Sequence, residues 1–127
     1  MAYSTKKIIT SMTPVDLQQL QTNASGSLIV IKFGAEWCKP CKFIKPTCEE
    51  WFATCSPNII YADIDIDESI DLYMSFKSKK MIKGVPTIFA FDTRKARAQW
   101  YIPDDSVIGG DVEAVKAFFK RCDNNTF

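Results

Sequence analysis

The sequence predicts an α/β fold, and three observations point there. The apolar run Leu28-Ile29-Val30-Ile31 lies within Ser27 to Phe33, bounded by Gly26 and Gly34, as in a strand covered on both faces. Ile44, Cys48, Trp51, Phe52 and Cys55 recur at helical spacing between Lys39 and Cys55. Thr87 to Phe91 and Ala96 to Tyr101 read as the arms of an antiparallel hairpin. Strands and helices in alternation, with a hairpin near the end, define the class.

Taken in order, Thr13-Pro14-Val15-Asp16 predicts a helix start: a capping hydroxyl, a proline at the first helical position and an acid three residues after the cap. That helix should run to about Gln21, and the strand from Ser27 to Phe33 should be central. The helix from Lys39 to Cys55 contains Pro46, which predicts a kink. Ile59 to Asp65 alternates as a second strand, and Glu68 to about Lys77 reads as a helix. After the hairpin, Asp111 caps a last helix whose Val112, Val115, Phe118, Phe119 and Cys122 form a stripe suited to docking on a sheet.

The chain has 127 residues, enough for one compact domain with a real core, and a single domain over residues 1–127 is expected. Its 46% hydrophobic and 24% charged composition is that of a globular protein, and a net charge of +1 gives no broad footprint for nucleic acid. Met1 to Thr10 has two lysines with no apolar stretch of signal-peptide length behind them, and no later window reaches membrane-spanning length. A soluble, cytoplasmic protein with no membrane association is therefore expected. Five cysteines, an odd number with one close pair, argue against a disulfide-stapled secreted scaffold. The absence of histidine removes Cys-His and Ser-His nucleophile pairs and disfavours a zinc site, so neither metal nor cofactor is expected.

The chemistry then rests on Cys38-Lys39-Pro40-Cys41. Two cysteines separated by two residues at a helix start can close a small disulfide ring, and the helix's unpaired amides favour the thiolate of the first. Cys38 is the expected nucleophile. Cys41, one turn further in, is the expected resolving thiol, which attacks the mixed disulfide on Cys38 and releases the reduced substrate. Pro40 suits the first turn because its missing N–H is one the helix would leave unpaired. No second Cys-x-x-Cys pair and no histidine exist to complete a tetrahedral metal site.

Ala35-Glu36-Trp37-Cys38-Lys39-Pro40-Cys41-Lys42, followed by Pro46 and by Gly84-Val85-Pro86-Thr87 before a strand, resembles the thioredoxin family. The resemblance implies a three-layer α/β/α fold, a central mixed sheet of four to five strands flanked by about four helices, and a cis Val85-Pro86 bond facing the dithiol. It implies a surface in which Trp37, Lys39, Pro40, Val85, Pro86 and Thr87 receive an extended peptide. It implies disulfide-containing proteins as substrates and a thioredoxin reductase or other dithiol donor to recharge the pair.

The sequence departs from that family at several points. Thioredoxins usually carry a buried aspartate six residues before the first cysteine; here the position is Lys32. A lysine inside an apolar strand is costly unless it reaches solvent, loses its proton or meets a carboxylate. Matching the next strand places Asp63 where some thioredoxins have a lysine, so Lys32 and Asp63 are read as a reversed ion pair and possible proton-transfer pair behind the dithiol. Gly34 stands where a bulky aromatic is common, and the stretch Tyr73 to Lys83 is longer than usual. Lys77, Lys79, Lys80 and Lys83 precede the Pro86 loop as a solvated face or as steering charge for acidic partners. Cys48, Cys55 and Cys122 fall on apolar stripes as buried structural cysteines. Two rival functions stay open at this point: a thioredoxin-fold scaffold or partner-binding subunit with idle cysteines, and a metal-bridged pair of chains.

Overall fold

A computed structural model describes residues 7–24 and 26–127; the reading of Met1 to Thr10 therefore lies partly outside the described residues. The first helix, α1, spans Pro14–Asn23. Thr13 closes the expected capping box, its hydroxyl accepting from Asp16 N at 3.0 Å while the Asp16 carboxylate accepts from Thr13 N at 2.9 Å. The strand β1, Leu28–Gly34, is buried along its whole length, as its unbroken apolar run requires. Helix α2, Lys39–Thr54, starts at Cys38 as its cap and carries Pro46 inside it. β2, Ile59–Asp65, matches the alternating segment.

Helix α3 covers Ile70–Ser78, beginning later than the expected Glu68. The hydroxyl of Ser69, which would otherwise cap it, accepts from Met12 N at 3.3 Å and ties the α1 entry to α3. β3 is Thr87–Asp92 and β4 is Asp105–Ile108. The last helix, α4, is Val112–Asn124, capped by Asp111, whose carboxylate accepts from Glu113 N at 3.0 Å.

The second hairpin arm is the element the sequence misplaces. Ala96 to Tyr101 is a loop, and the pairing strand lies beyond it at Asp105–Ile108. The Arg97 guanidinium donates to the carbonyl of Ile102 at 2.6 Å, to the carbonyl of Asp92 and to the Asp104 carboxylate, so it folds the segment back on itself. Trp100 packs edge-on against Phe76, with ring centroids 5.5 Å apart, instead of alternating across a ladder. Pairing resumes only past Pro103, where Asp104 N donates to Ala90 O at 2.8 Å.

The sheet order is β2-β1-β3-β4; β1 and β2 run parallel, and β3 is antiparallel to both β1 and β4. Alternation along β1 sends Leu28 and Val30 into a core with α2 and α4, and Ile29, Ile31 and Phe33 into a core with α1 and α3. Four helices on two faces of a four-stranded mixed sheet form the three layers the resemblance implied. At the outer edge of β2, Ile9 makes a single parallel bridge: Ile9 N donates to Tyr61 O at 3.0 Å and Asp63 N to Ile9 O at 2.8 Å. No helix among the described residues is long and apolar enough to cross a membrane.

Candidate active site

β1 ends at Gly34, whose carbonyl accepts from Ile66 N at 2.9 Å, and the chain turns so that Cys38 N reaches Ala35 O at 3.1 Å. This turn delivers Cys38 to the cap position of α2 in an extended conformation. Cys41 N points back at Cys38 Sγ across 3.2 Å, the direct form of the amide field expected at a helix start. The two cysteines are joined in a disulfide with Cα atoms 5.3 Å apart. Both are buried, Cys38 to 3% and Cys41 to 6% exposure.

The Val85-Pro86 bond is cis, and Val85 O lies 3.7 Å from Cys38 Sγ. Gly109 N donates to Pro86 O at 2.9 Å, so the end of β4 anchors this loop beside the dithiol. Trp37, Lys39 and Pro40 stand on the surface next to Cys38, with Trp37 at 66% exposure. Thr87 is turned inward: it is buried, and its hydroxyl donates to Gly84 O at 2.6 Å, so it holds the loop from within.

Two contributors escape sequence reading. The Trp37 indole N–H donates to the Asp67 carboxylate at 2.9 Å, fixing the exposed ring. A Cβ at Gly110 would sit 2.9 Å from Pro40 Cβ, so only glycine lets the β4–α4 turn approach the dithiol loop. Neither contact has a local signal, although the Gly109-Gly110 doublet marks a turn.

Behind the disulfide, Lys32 is buried at 5% exposure and lies opposite Asp63 in the parallel register of β1 and β2. Its ammonium is 3.8 Å from the Asp63 carboxylate, an ion pair slightly longer than a hydrogen bond, with the Asp63 side chain 45% exposed. Both line a cavity of about 280 Å³ that also touches Gly34 and Cys41. Cys48, Cys55 and Cys122 are buried in the α2/α4 core. Burial pushes the Cys48 thiol up to about 11, against the pull of the Lys32 charge, and the Cys122 thiol up to about 12. Of the lysines before the Pro86 loop, Lys77 lies over the Tyr73 ring and Lys79 over the rings of Trp100 and Tyr101.

The family model for thioredoxin matches residues 11–106. The chain belongs to the thioredoxin family. Thioredoxin H4-2 of rice, Oryza sativa subsp. japonica, is 33% identical over 69% of this chain and 63% of its own length. The chain thus spans less than two thirds of that relative. The thioredoxin of Mycoplasma pneumoniae is 31% identical over 67% of this chain and 80% of its own. Among solved structures, Fasciola hepatica thioredoxin superposes with a TM-score of 0.66 at 24% identity, covering 89% of this chain and 98% of that one. Against the thioredoxin pattern, the cysteine spacing, Trp37, Pro40 and the cis-proline loop are in place. Behind the dithiol stand Lys32, Asp63 and Gly34, three of the positions read from the sequence as departures from that pattern.

Proposed function

We propose that the protein is a thiol-disulfide oxidoreductase that reduces protein disulfides through Cys38 and Cys41. The observation that carries this is the Cys38–Cys41 pair at the start of α2, with Cys41 N directed at Cys38 Sγ. In the reduced protein, the Cys38 thiolate attacks a substrate disulfide and expels one substrate thiolate. Cys41 then attacks Cys38 Sγ in the mixed disulfide, the second substrate thiolate leaves, and the protein is left oxidised. Trp37, Lys39, Pro40, Val85 and Pro86 form the surface an extended substrate chain meets, with Thr87 bracing the loop from inside. Lys32 and Asp63, paired at 3.8 Å on the cavity that Cys41 borders, are the proton-transfer pair of this reading. Disulfide-containing proteins are the substrates, and a thioredoxin reductase or other dithiol donor recharges the pair. A reducing, cytosol-like compartment fits an odd number of cysteines with one redox pair. Single-domain organisation over residues 1–127 completes the reading.

Turbidity of insulin tests it. The wild type should precipitate insulin in the presence of a dithiol donor, and Cys38→Ser should fall to background. An inactive wild type, or activity that survives in Cys38→Ser, would contradict the assignment.

A further inference from the structure

We propose that the oxidised dithiol can be opened from behind, at Cys41, by a low-molecular-weight thiol carrying both ammonium and carboxylate groups. This rests on the reading of Cys38 as the stabilised thiolate. Three observations converge on it.

The first is access. Cys41 is no more enclosed than Cys38, and it borders the cavity of about 280 Å³ behind the disulfide. A Cβ at Gly34 would stand 3.4 Å from Cys41 Sγ and 3.8 Å from its Cβ. Positive φ angles occur at Gly26 and Gly109 but not at Gly34, so backbone conformation does not demand glycine there. The missing side chain leaves space beside the sulfur, in a volume suited to a small molecule and too small for a protein strand.

The second is the leaving group. Attack on a disulfide is fastest when the expelled sulfur is the better stabilised thiolate. Cys41 N lies 3.2 Å from Cys38 Sγ, so Cys38 is the sulfur that leaves well. The favoured point of attack is therefore Cys41, which a sealed interior would normally protect.

The third is charge. Lys32, Lys42 and Lys45 line the cavity together with Glu36, Asp63, Asp65 and Glu68. Cations and anions side by side suit a thiol bearing both signs better than a neutral one or a simple anion.

In the step, an incoming thiolate bonds to Cys41 Sγ, the Cys38–Cys41 bond breaks, and its electron pair leaves on Cys38 Sγ. A second thiolate attacks the small-molecule sulfur of the mixed disulfide and releases Cys41. Two thiols become one disulfide, the protein gains the two electrons, and the two thiol protons pass to the cysteine pair and solvent.

Proteins that keep one cysteine of the pair test this, with glutathione disulfide as the probe and timed peptide-level mass spectrometry as the readout, so that adducts on Cys48, Cys55 or Cys122 are told apart. Cys41 in Cys38→Ser should acquire glutathione within tenfold of the rate for Cys38 in Cys41→Ser. Adding Gly34→Phe should slow Cys41 at least tenfold while Cys38 keeps its rate within twofold, which also reports an intact fold. Gly34→Ala, a smaller plug, should slow Cys41 in the same sense. The neutral 2-hydroxyethyl disulfide should show a smaller Cys41-to-Cys38 rate ratio than glutathione disulfide. A Cys41 rate more than tenfold below that of Cys38, indifference to both Gly34 variants, or equal ratios for the two probes would each overturn the proposal. Insulin turbidity is scored separately. Loss of insulin reduction with the Cys41 adduct intact would count against the protein-substrate reading, and the converse against rear entry.

Discussion

Lys32 sits in a strand with all seven residues buried, on the face that carries Leu28 and Val30 toward α2 and α4. From sequence, such a lysine could reach solvent at a strand end or meet a carboxylate; the parallel register sets Asp63 opposite it, and the 3.8 Å pair results. A cation at the cavity that Cys41 borders favours the thiolate over the disulfide, which raises the reduction potential. We expect a value less negative than the roughly −270 mV of thioredoxin itself, with Lys32→Met moving it back down by tens of millivolts, since about 30 mV corresponds to about 1.4 kcal/mol in a two-electron couple. Equilibration against glutathione redox buffers measures both; a wild-type value at or below that reference would refute the argument. The dithiol, Trp37, Pro40 and Pro86 are legible because each belongs to a short motif with its own spacing. Asp67 and Gly110 are not, because their partners Trp37 and Pro40 are distant in sequence and meet them only in the folded chain.

At the scale of elements, the long periodic segments declare themselves and the short polar one does not. β1, β2, α2 and α4 fall close to their expected bounds because burial on one or both faces imposes a period on the residues. β4 has four residues of alternating burial, while the more aromatic stretch before it folds over Phe76. Aromatic content there reflects packing and not pairing. The same region carries an acid-sensitive lock at the end of β3. Asp92 is buried, and Arg94 donates to both its carboxylate oxygens at 2.9 Å. These hydrogen bonds from Arg94, with its charge, hold the Asp92 carboxyl below its ordinary 3.8 despite the opposing cost of burial. A carboxylate whose pKa is depressed by folding adds stability that is fully present above the unfolded value near 3.9 and is lost as pH falls through the folded one. Urea midpoints measured from pH 6 to pH 2 should therefore fall less steeply below about pH 4 in Asp92→Asn than in the wild type. Parallel curves would assign the acid limb to other groups.

Across the whole molecule, the sheet separates two cores and brings its chemistry to one end, where β1 runs into α2 and the Pro86 loop enters β3. The alternation of elements is readable because each needs an apolar face, but the order β2-β1-β3-β4 is set by long-range pairing that no local stretch encodes. One consequence lies at the outer edge of that sheet. Among the described residues, the backbone of Asp63 is held on its outer side by Ile9, through a bond of 2.8 Å, while its side chain faces Lys32. Its amide proton can thus trade with deuterium whenever the stretch around Ile9 lifts, without the core opening, whereas Val30 and Ile31 lie in a strand paired on both sides. Native-state hydrogen exchange should find Asp63 less protected than either, and equal protection would mean that the edge opens only on global unfolding. The amide of Asp63 is then a clock for the docking of residues 8–10, and it reads the same carboxylate residue that Lys32 leans on.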